Sequence, residues 1–342
     1  MKPKDAMTAA ASQWQELLGD WARPGEVVDG KYRLDRIIGT GGMGVVIEAW
    51  HVRFDEQVAL KVLLPDAAAN EETRLRFERE ARAAFKIKSE HVARVLDVGT
   101  LSQGAPFMVM EYLDGQDLAD LLGKGHRFEI RDAVDHTLQA CAGVAAAHAI
   151  GIVHRDLKPE NLFLVNQRDG TPCIKVLDFG ISKVTGASGV RMRALTSGSV
   201  TMGTPHYMAP EQWQSARDVT FAADLWALGV ILFELLSGKT PFQARELGEL
   251  CAAVLKTQPN SLRELRPEVP VALEAAVMRC LEKDTAQRFG GAAELARALV
   301  PFASSRGRSS ARRIAGVREE DFPTSSDPVT RRKGVEVLHA SR

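Results

Sequence analysis

Gly39-x-Gly41-x-x-Gly44 lies between two short runs of strand-forming residues, YRLDRIIG and VVIEAWHV, and a third such run, QVALKVLL, follows. Glycines crowded into a strand-to-strand turn have two physical uses. They let the chain reverse tightly, and without Cβ atoms they let backbone N–H groups approach phosphate oxygens. The same spacing also marks a dinucleotide-binding turn, but that arrangement needs a helix directly after the glycines. A strand-like run follows instead, so the expected structure is a hairpin flap that folds over a nucleotide.

Strand-like signals dominate from Tyr32 to Tyr112, with turn residues between them. One helix interrupts them, expected over residues 71–88 with Phe77, Ala81, Ala84 and Phe85 on its apolar face. After Tyr112 the character changes to helices. Ile130, Val134, Leu138, Cys141, Ala145 and His148 recur at helical spacing before a stop at Gly151. Further helices are expected over residues 221–237, 247–256, 271–281 and 292–299. Strands first and helices afterwards imply an α+β protein of two lobes. The expected divisions are an N-terminal extension over 1–30, a small lobe over 31–112, a larger lobe over 113–303 and a tail over 304–342.

In the extension, Trp14, Leu17, Leu18 and Trp21 share one helical face after a Ser12/Gln15 capping pattern, which predicts a short helix packed on its own domain. The tail is rich in Arg, Ser and charge and poor in apolar residues, and disorder is its expected state. Forty-four basic residues balance 44 acidic ones, so no overall field draws the chain to nucleic acid or anionic lipid. Cys141, Cys173, Cys251 and Cys280 are far apart without a CxxC pair, which argues against a zinc knuckle or disulfide framework and suits a reducing cytosol. The longest apolar run, LWALGVILFELLSG, contains Glu234 and is too short to span a bilayer, so it reads as a buried core helix. No signal peptide is evident, and a cytoplasmic location is expected.

Downstream of the glycines come Val58-Ala59-Leu60-Lys61, HRDLKPEN (His154 to Asn161), DFG (Asp178 to Gly180) and APE (Ala209 to Glu211). In this order the segments resemble the eukaryotic-type (Hanks-type) serine/threonine protein kinase family, and the flap, RFEREA and EKDTAQRF resemble its bacterial branch. The resemblance runs from Tyr32 to Pro301. It implies the bilobal protein kinase fold, with a small β-rich N-lobe and a larger α-helical C-lobe, and use of ATP with Mg2+, for which Mn2+ can substitute.

The resemblance also implies roles for residues. Lys61 matches the lysine that contacts the α- and β-phosphates, partnered by a glutamate on the helix at 71–88. Helical phase leaves Glu78 and Glu80 open; the family's Arg79-Glu80-Ala81 context selects Glu80. Asp156 matches the base or orienter of the substrate hydroxyl, Lys158 a cation for the moving phosphoryl group, and Asn161 and Asp178 the metal ligands. Gly39, Gly41 and Gly44 match the phosphate flap, and Val46, Ala59 and Phe163 an adenine sandwich. Met110 would guard the deep pocket, and Glu111 and Leu113 would offer backbone contacts. Asp117 fits either a ribose contact or a helix cap. Thr204 would bridge Asp156 and Lys158, while Glu211 with Arg288, and Asp224 beneath the catalytic loop, would be structural supports.

Lys158 within DLKPEN and the stretch GTPHYMAPE imply Ser/Thr hydroxyls of proteins as acceptors, and a homodimer could support trans-autophosphorylation. Phosphorylation at Thr196, Ser199 or Thr201 would order the activation segment through Arg155 and Lys183. Two enzymatically different readings compete: a catalytically dead scaffold, disfavoured because Lys61, Asp156, Asn161 and Asp178 are all present, and a small-molecule phosphotransferase, disfavoured by GTPHYMAPE. Many bacterial members carry a membrane segment and a sensor domain beyond such a tail, so the chain is expected to be either a soluble kinase or part of a longer one.

Overall fold

The computed structural model describes residues 14–167, 169–179, 204–215, 219–314 and 316. Its first layer is a six-stranded antiparallel sheet of order β1-β2-β3-β4-β6-β5. The strands are β1 (Val27–Val28), β2 (Tyr32–Thr40), β3 (Gly44–His51), β4 (Glu56–Leu63), β5 (Val95–Thr100) and β6 (Pro106–Glu111). Strand alternation sorts their side chains. Val45, Ile47 and Ala49 on β3, Val58, Leu60 and Val62 on β4, and Phe107 and Val109 on β6 are buried in the N-lobe core. The intervening residues Val46, Ala59, Met108 and Met110 therefore face the other way, where they line a cleft. In register, Lys61 stands opposite Val46 on one side and Met108 on the other.

The helix over residues 14–18, α1, belongs to this lobe. Trp14, Leu18 and Ala22 are buried in the same core as the sheet, so the lobe begins well before residue 31. Ser12 lies outside the described residues. After β4 come α2 (Pro65–Ala69) and α3 (Glu71–Lys86). Asn70 caps α3 by accepting from the Thr73 N–H at 3.0 Å, and Glu71, Glu72 and Lys86 complement the helix dipole at its two ends. Phe77 and Ala81 are buried against the sheet. Phe85, expected on that face, is instead 54% exposed, because the last turn of α3 borders an open groove.

The helical lobe is built on α5 (Ile130–His148), preceded by α4 (Leu118–Gly123), and on α7 (Phe221–Ser237), preceded by α6 (Pro210–Gln214). Both long helices are buried on nearly every side, as the apolar run in α7 requires. Thr220 caps α7 and Gly238, in the left-handed conformation, ends it. Around them pack α8 (Leu247–Lys256), α9 (Leu262–Leu265), α10 (Val271–Cys280) and α11 (Ala292–Leu299). A small sheet, β7 (Gly115–Asp117), β8 (Leu162–Asn166) and β9 (Pro172–Val176), lies at the junction of the lobes.

The chain past Ser304 departs from the expected disorder. Ser305–Arg312 forms a helix, α12, with Gly307, Ser310 and Ala311 buried and Ile314 in the C-lobe core. Ser304 anchors its start: its N–H donates to Asp135 Oδ1 of α5 at 2.9 Å, and its side chain accepts from the Arg306 N–H. The packing face consists of small residues, which carry no apolar pattern. Among the described residues no helix is long and apolar enough to cross a membrane.

Candidate active site

Between the lobes lies a cleft of about 430 Å3, within the usual range for small-molecule sites. Glu160 lines its base from the loop His154 to Asn161, which is held in an unusual shape next to Leu177–Phe179. Arg155 sits at φ 64° and Asp178 at φ 47°, left-handed conformations that cost energy for non-glycine residues. Asp224, 1% exposed at the start of α7, offsets that cost by accepting the backbone N–H groups of both His154 and Arg155 at 2.8 Å. His148 Nε2 lies 2.8 Å from the same carboxylate. From the other side, Gln212 donates to the Arg155 carbonyl at 2.9 Å.

This loop is stitched to residues 177–179. His154 Nε2 lies 2.9 Å from the Leu177 carbonyl, and its Nδ1 accepts from the Asp156 N–H at 3.3 Å, which together fix the orientation of the ring. Asn161 donates its side-chain N–H to the Asp156 carbonyl at 2.8 Å, and its own carbonyl accepts from the Leu177 N–H at 2.9 Å. Phe179 is buried with its ring 4.7 Å from that of His154. The two segments are thereby fixed relative to each other.

Across the cleft, Lys61 Nζ lies 3.3 Å from Glu80 Oε1 and 2.6 Å from Asp178 Oδ1. Glu78 instead pairs with Arg82 on the exposed side of α3. Burial alone would lower the Lys61 pKa, but the Asp178 and Glu80 carboxylates raise it above its ordinary value. Burial likewise pushes the Asp178 carboxyl up, yet Lys61, with smaller contributions from His154 and Lys158, holds it below the usual carboxylate range. Both groups therefore stay charged through the neutral range.

The structure brings Gly39, Val46, Ala59, Met110, Glu111, Leu113, Asp117 and Phe163 together on the cleft wall, with Glu80 and Asp178. Gly41 and Gly44 do not line it. The Gly41 N–H donates to the Gly44 carbonyl at 2.9 Å, so it serves the turn of the flap. A Cβ on Gly44 would meet the Val62 carbonyl at 2.6 Å, so this glycine permits close packing of β3 on β4. Glu111 keeps only its carbonyl for a ligand, since its N–H donates to the Arg94 carbonyl at 3.0 Å. Its carboxylate binds Lys175 at 2.9 Å. Asp117 caps α4 by accepting from the Asp120 N–H at 2.8 Å while still lining the cleft. Thr204 opens a 3-10 turn over Thr204–Tyr207, and its side chain, like residues 180–203, lies outside the described set.

Sequence reasoning missed Met108, Val95, Leu177 and Arg36 on the cleft wall. Met108 was within reach, because a period of two from Met110 puts it on the same strand face. Arg36 pairs with Glu48 from the neighbouring strand, a contact with no local signal.

A β-sheet lobe and a helical lobe enclosing a lysine–glutamate pair, an Asp-containing loop and Asp178-Phe179 define a protein kinase domain. The chain belongs to the protein kinase domain family, whose model matches residues 32–299. It is 37% identical over 266 residues to the Myxococcus xanthus serine/threonine-protein kinase pkn3, which covers 77% of this chain and 48% of that protein. Against Pkn1 of the same organism it is 38% identical over 284 residues, 83% of this chain and 40% of the relative. The chain thus spans less than half the length of these relatives. The crystal structure of the Mycobacterium tuberculosis PknI kinase domain superimposes with a TM-score of 0.62 at 28% identity, covering 81% of this chain and 98% of that one.

Proposed function

We propose that the chain transfers the γ-phosphoryl group of ATP to serine or threonine hydroxyls of proteins, with Mg2+ as the metal and Mn2+ as a substitute. The observation that carries this reading is the Lys61 ammonium held between Glu80 and Asp178 inside the cleft. That ion pair presents a cation to phosphate oxygens at a fixed position.

The donor set fits a hard cation. Asn161 commits its amide nitrogen to the Asp156 carbonyl, which leaves an amide oxygen, and the Asp178 side chain is 45% exposed to the cleft. Among the described residues no cluster of three or more His, Cys, Asp or Glu side chains could hold a metal by itself. An ion at Asn161 and Asp178 would therefore draw its remaining oxygens from phosphate and water, as Mg2+ commonly does. When bound, ATP and the cation supply the phosphoryl group and the charge neutralisation.

The protein's own residues do the rest. Asp156 accepts the hydrogen bond of the acceptor hydroxyl and orients it in line, and Lys158 balances charge on the moving group. Val46, Ala59 and Phe163 sandwich the adenine, with Met110 deeper in the pocket. The Glu111 carbonyl and the Leu113 backbone offer hydrogen bonds at its edge, and Asp117 borders the ribose. Arg155 carries a buried Nε and Nη1 with no hydrogen-bond partner among the described residues. This supports capture of a phosphate on Thr196, Ser199 or Thr201, together with Lys183. The proposal extends to a cytoplasmic kinase that phosphorylates a second copy of itself.

Transfer of labelled phosphate from ATP to the chain and to a generic basic protein tests the reading. Asp156→Asn is expected to lower kcat by about 10²- to 10⁴-fold at an unchanged melting temperature. Nucleotide binding without any transfer by the wild type would instead identify a scaffold.

A further inference from the structure

Behind the cleft runs a groove of about 690 Å3. Ala84, Val95 and Glu111 line both the groove and the cleft, so the two share a wall. The groove contains Phe85 and Leu96, which are 54% and 44% exposed. Two cations rim it. Lys88 Nζ stands 4.9 Å over the Phe85 ring, and the Arg94 side chain is 68% exposed with its Nε 3.8 Å from Glu111. The other charges in the groove are matched: Lys175 with Glu111 at 2.9 Å, and Glu90 with Arg313. What remains is an apolar floor under a positive edge.

Arg313 belongs to the end of the chain that follows α12, so its pair with Glu90 brings that end to the rim of the groove. Gly316 is fixed nearby, its carbonyl accepting from Arg297 at 2.7 Å. The sequence then continues with Val317 and Arg318, followed by Glu319, Glu320, Asp321 and Phe322. At roughly 3.3–3.6 Å per residue, the three to six residues beyond Gly316 can reach about 10–20 Å. Three carboxylates followed by an aromatic ring are the complement of two cations beside an exposed phenylalanine and leucine.

We propose that residues 319–322 dock into this groove on their own chain, with the carboxylates toward Lys88 and Arg94 and the Phe322 ring against Phe85 and Leu96. Because Ala84 on α3 is part of the shared wall, docking braces the helix that carries Glu80.

Hydrogen–deuterium exchange on the full chain tests this without any need for activity. Phe322→Ala, and separately the combined Glu319→Lys, Glu320→Lys and Asp321→Lys, are each expected to speed amide exchange in residues 85–94 by about tenfold. Adding Lys88→Glu and Arg94→Glu to the lysine variant restores the slow exchange. In a second measurement, Leu96→Cys with Phe322→Cys forms a disulfide within one chain under mild oxidation. Unchanged exchange in both tail variants overturns the proposal, as does a charge exchange that restores nothing. Disulfides formed only between chains overturn it in favour of docking by a second copy.

Discussion

Arg288 has no exposed side-chain surface, yet its guanidinium is satisfied at both ends. Glu211 binds it through both carboxylate oxygens at 2.8 Å, and the carbonyls of Glu282 and Ala222 accept from it at 2.8 and 2.9 Å. Glu211→Ala would leave a buried charge without its counter-ion, at a cost of about 3–5 kcal/mol. A fall of that size in urea-unfolding free energy is the expected outcome, with most of it recovered when Arg288→Met is added. His136 is the opposite case, a titratable ring buried neutral. Burial pushes its pKa down to about 4 from 6.5; Asp132 opposes this, and Arg306 and His126 reinforce it. The unfolded chain therefore takes up a proton first as pH falls. The stabilisation is complete above pH 6.5 and is lost as the pH drops through 6.5 toward about 4. Between pH 6.5 and 4.5 the loss is expected to be about 2 kcal/mol, and the unfolding curve of His136→Leu should lack that component. At this scale the motif residues were legible in the sequence because their types and order are distinctive. The left-handed backbone at Arg155 was not, since the carboxylate that holds it there belongs to Asp224, 69 residues further on.

At the scale of elements, legibility followed the physical basis of each one. The helix expected over residues 221–237 is found over Phe221–Ser237, because an apolar run sits between a threonine cap and a left-handed glycine. α12 escaped notice because its burial rests on Gly307, Ser310 and Ala311 fitting against α5, where small size matters and hydrophobicity does not. The flap shows a similar division. Its glycines suggested phosphate approach, but Gly44 is needed where β3 meets β4, with the Val62 carbonyl 2.6 Å from any added Cβ. At Gly41 the nearest atom would be 3.7 Å away, an ordinary contact. Gly44→Ala is therefore expected to lower stability by about 1–3 kcal/mol. Gly41→Ala should leave the melting temperature unchanged while raising KM for ATP. Thermal unfolding and steady-state kinetics on the two variants separate these roles, and equal melting temperatures would refute the assignment to Gly44.

Across the whole molecule, the two cores do not divide where the lobes do. Val92 follows α3, the helix of the β-lobe, yet it is buried in the core of the helical lobe. The same segment is hydrogen-bonded to β9: the Val176 N–H donates to the His91 carbonyl at 2.9 Å, and the Ala93 N–H donates to the Val176 carbonyl at 3.0 Å. The exit of α3 is thus fixed to one lobe, whereas Lys61, the partner of Glu80 on that helix, is carried by the sheet of the other. Gly143 of α5 lies directly beneath this junction, where a Cβ would meet the His91 carbonyl at 2.6 Å and Val176 Cγ2 at 2.9 Å. Glycine to alanine inside a helix ordinarily gains about 1 kcal/mol. Here the overlap with backbone reverses the sign, and Gly143→Ala is expected to lose about 1–3 kcal/mol. Because the displaced segment leads out of α3, the Lys61–Glu80 pair should loosen as well, so kcat for phosphoryl transfer falls along with the melting temperature. Gly123→Ala, in α4 with nothing within 4 Å of the added Cβ, is the control and should lower neither. A Gly143→Ala variant that melts early but retains full kcat would show that the junction holds the lobes together without setting the position of Glu80.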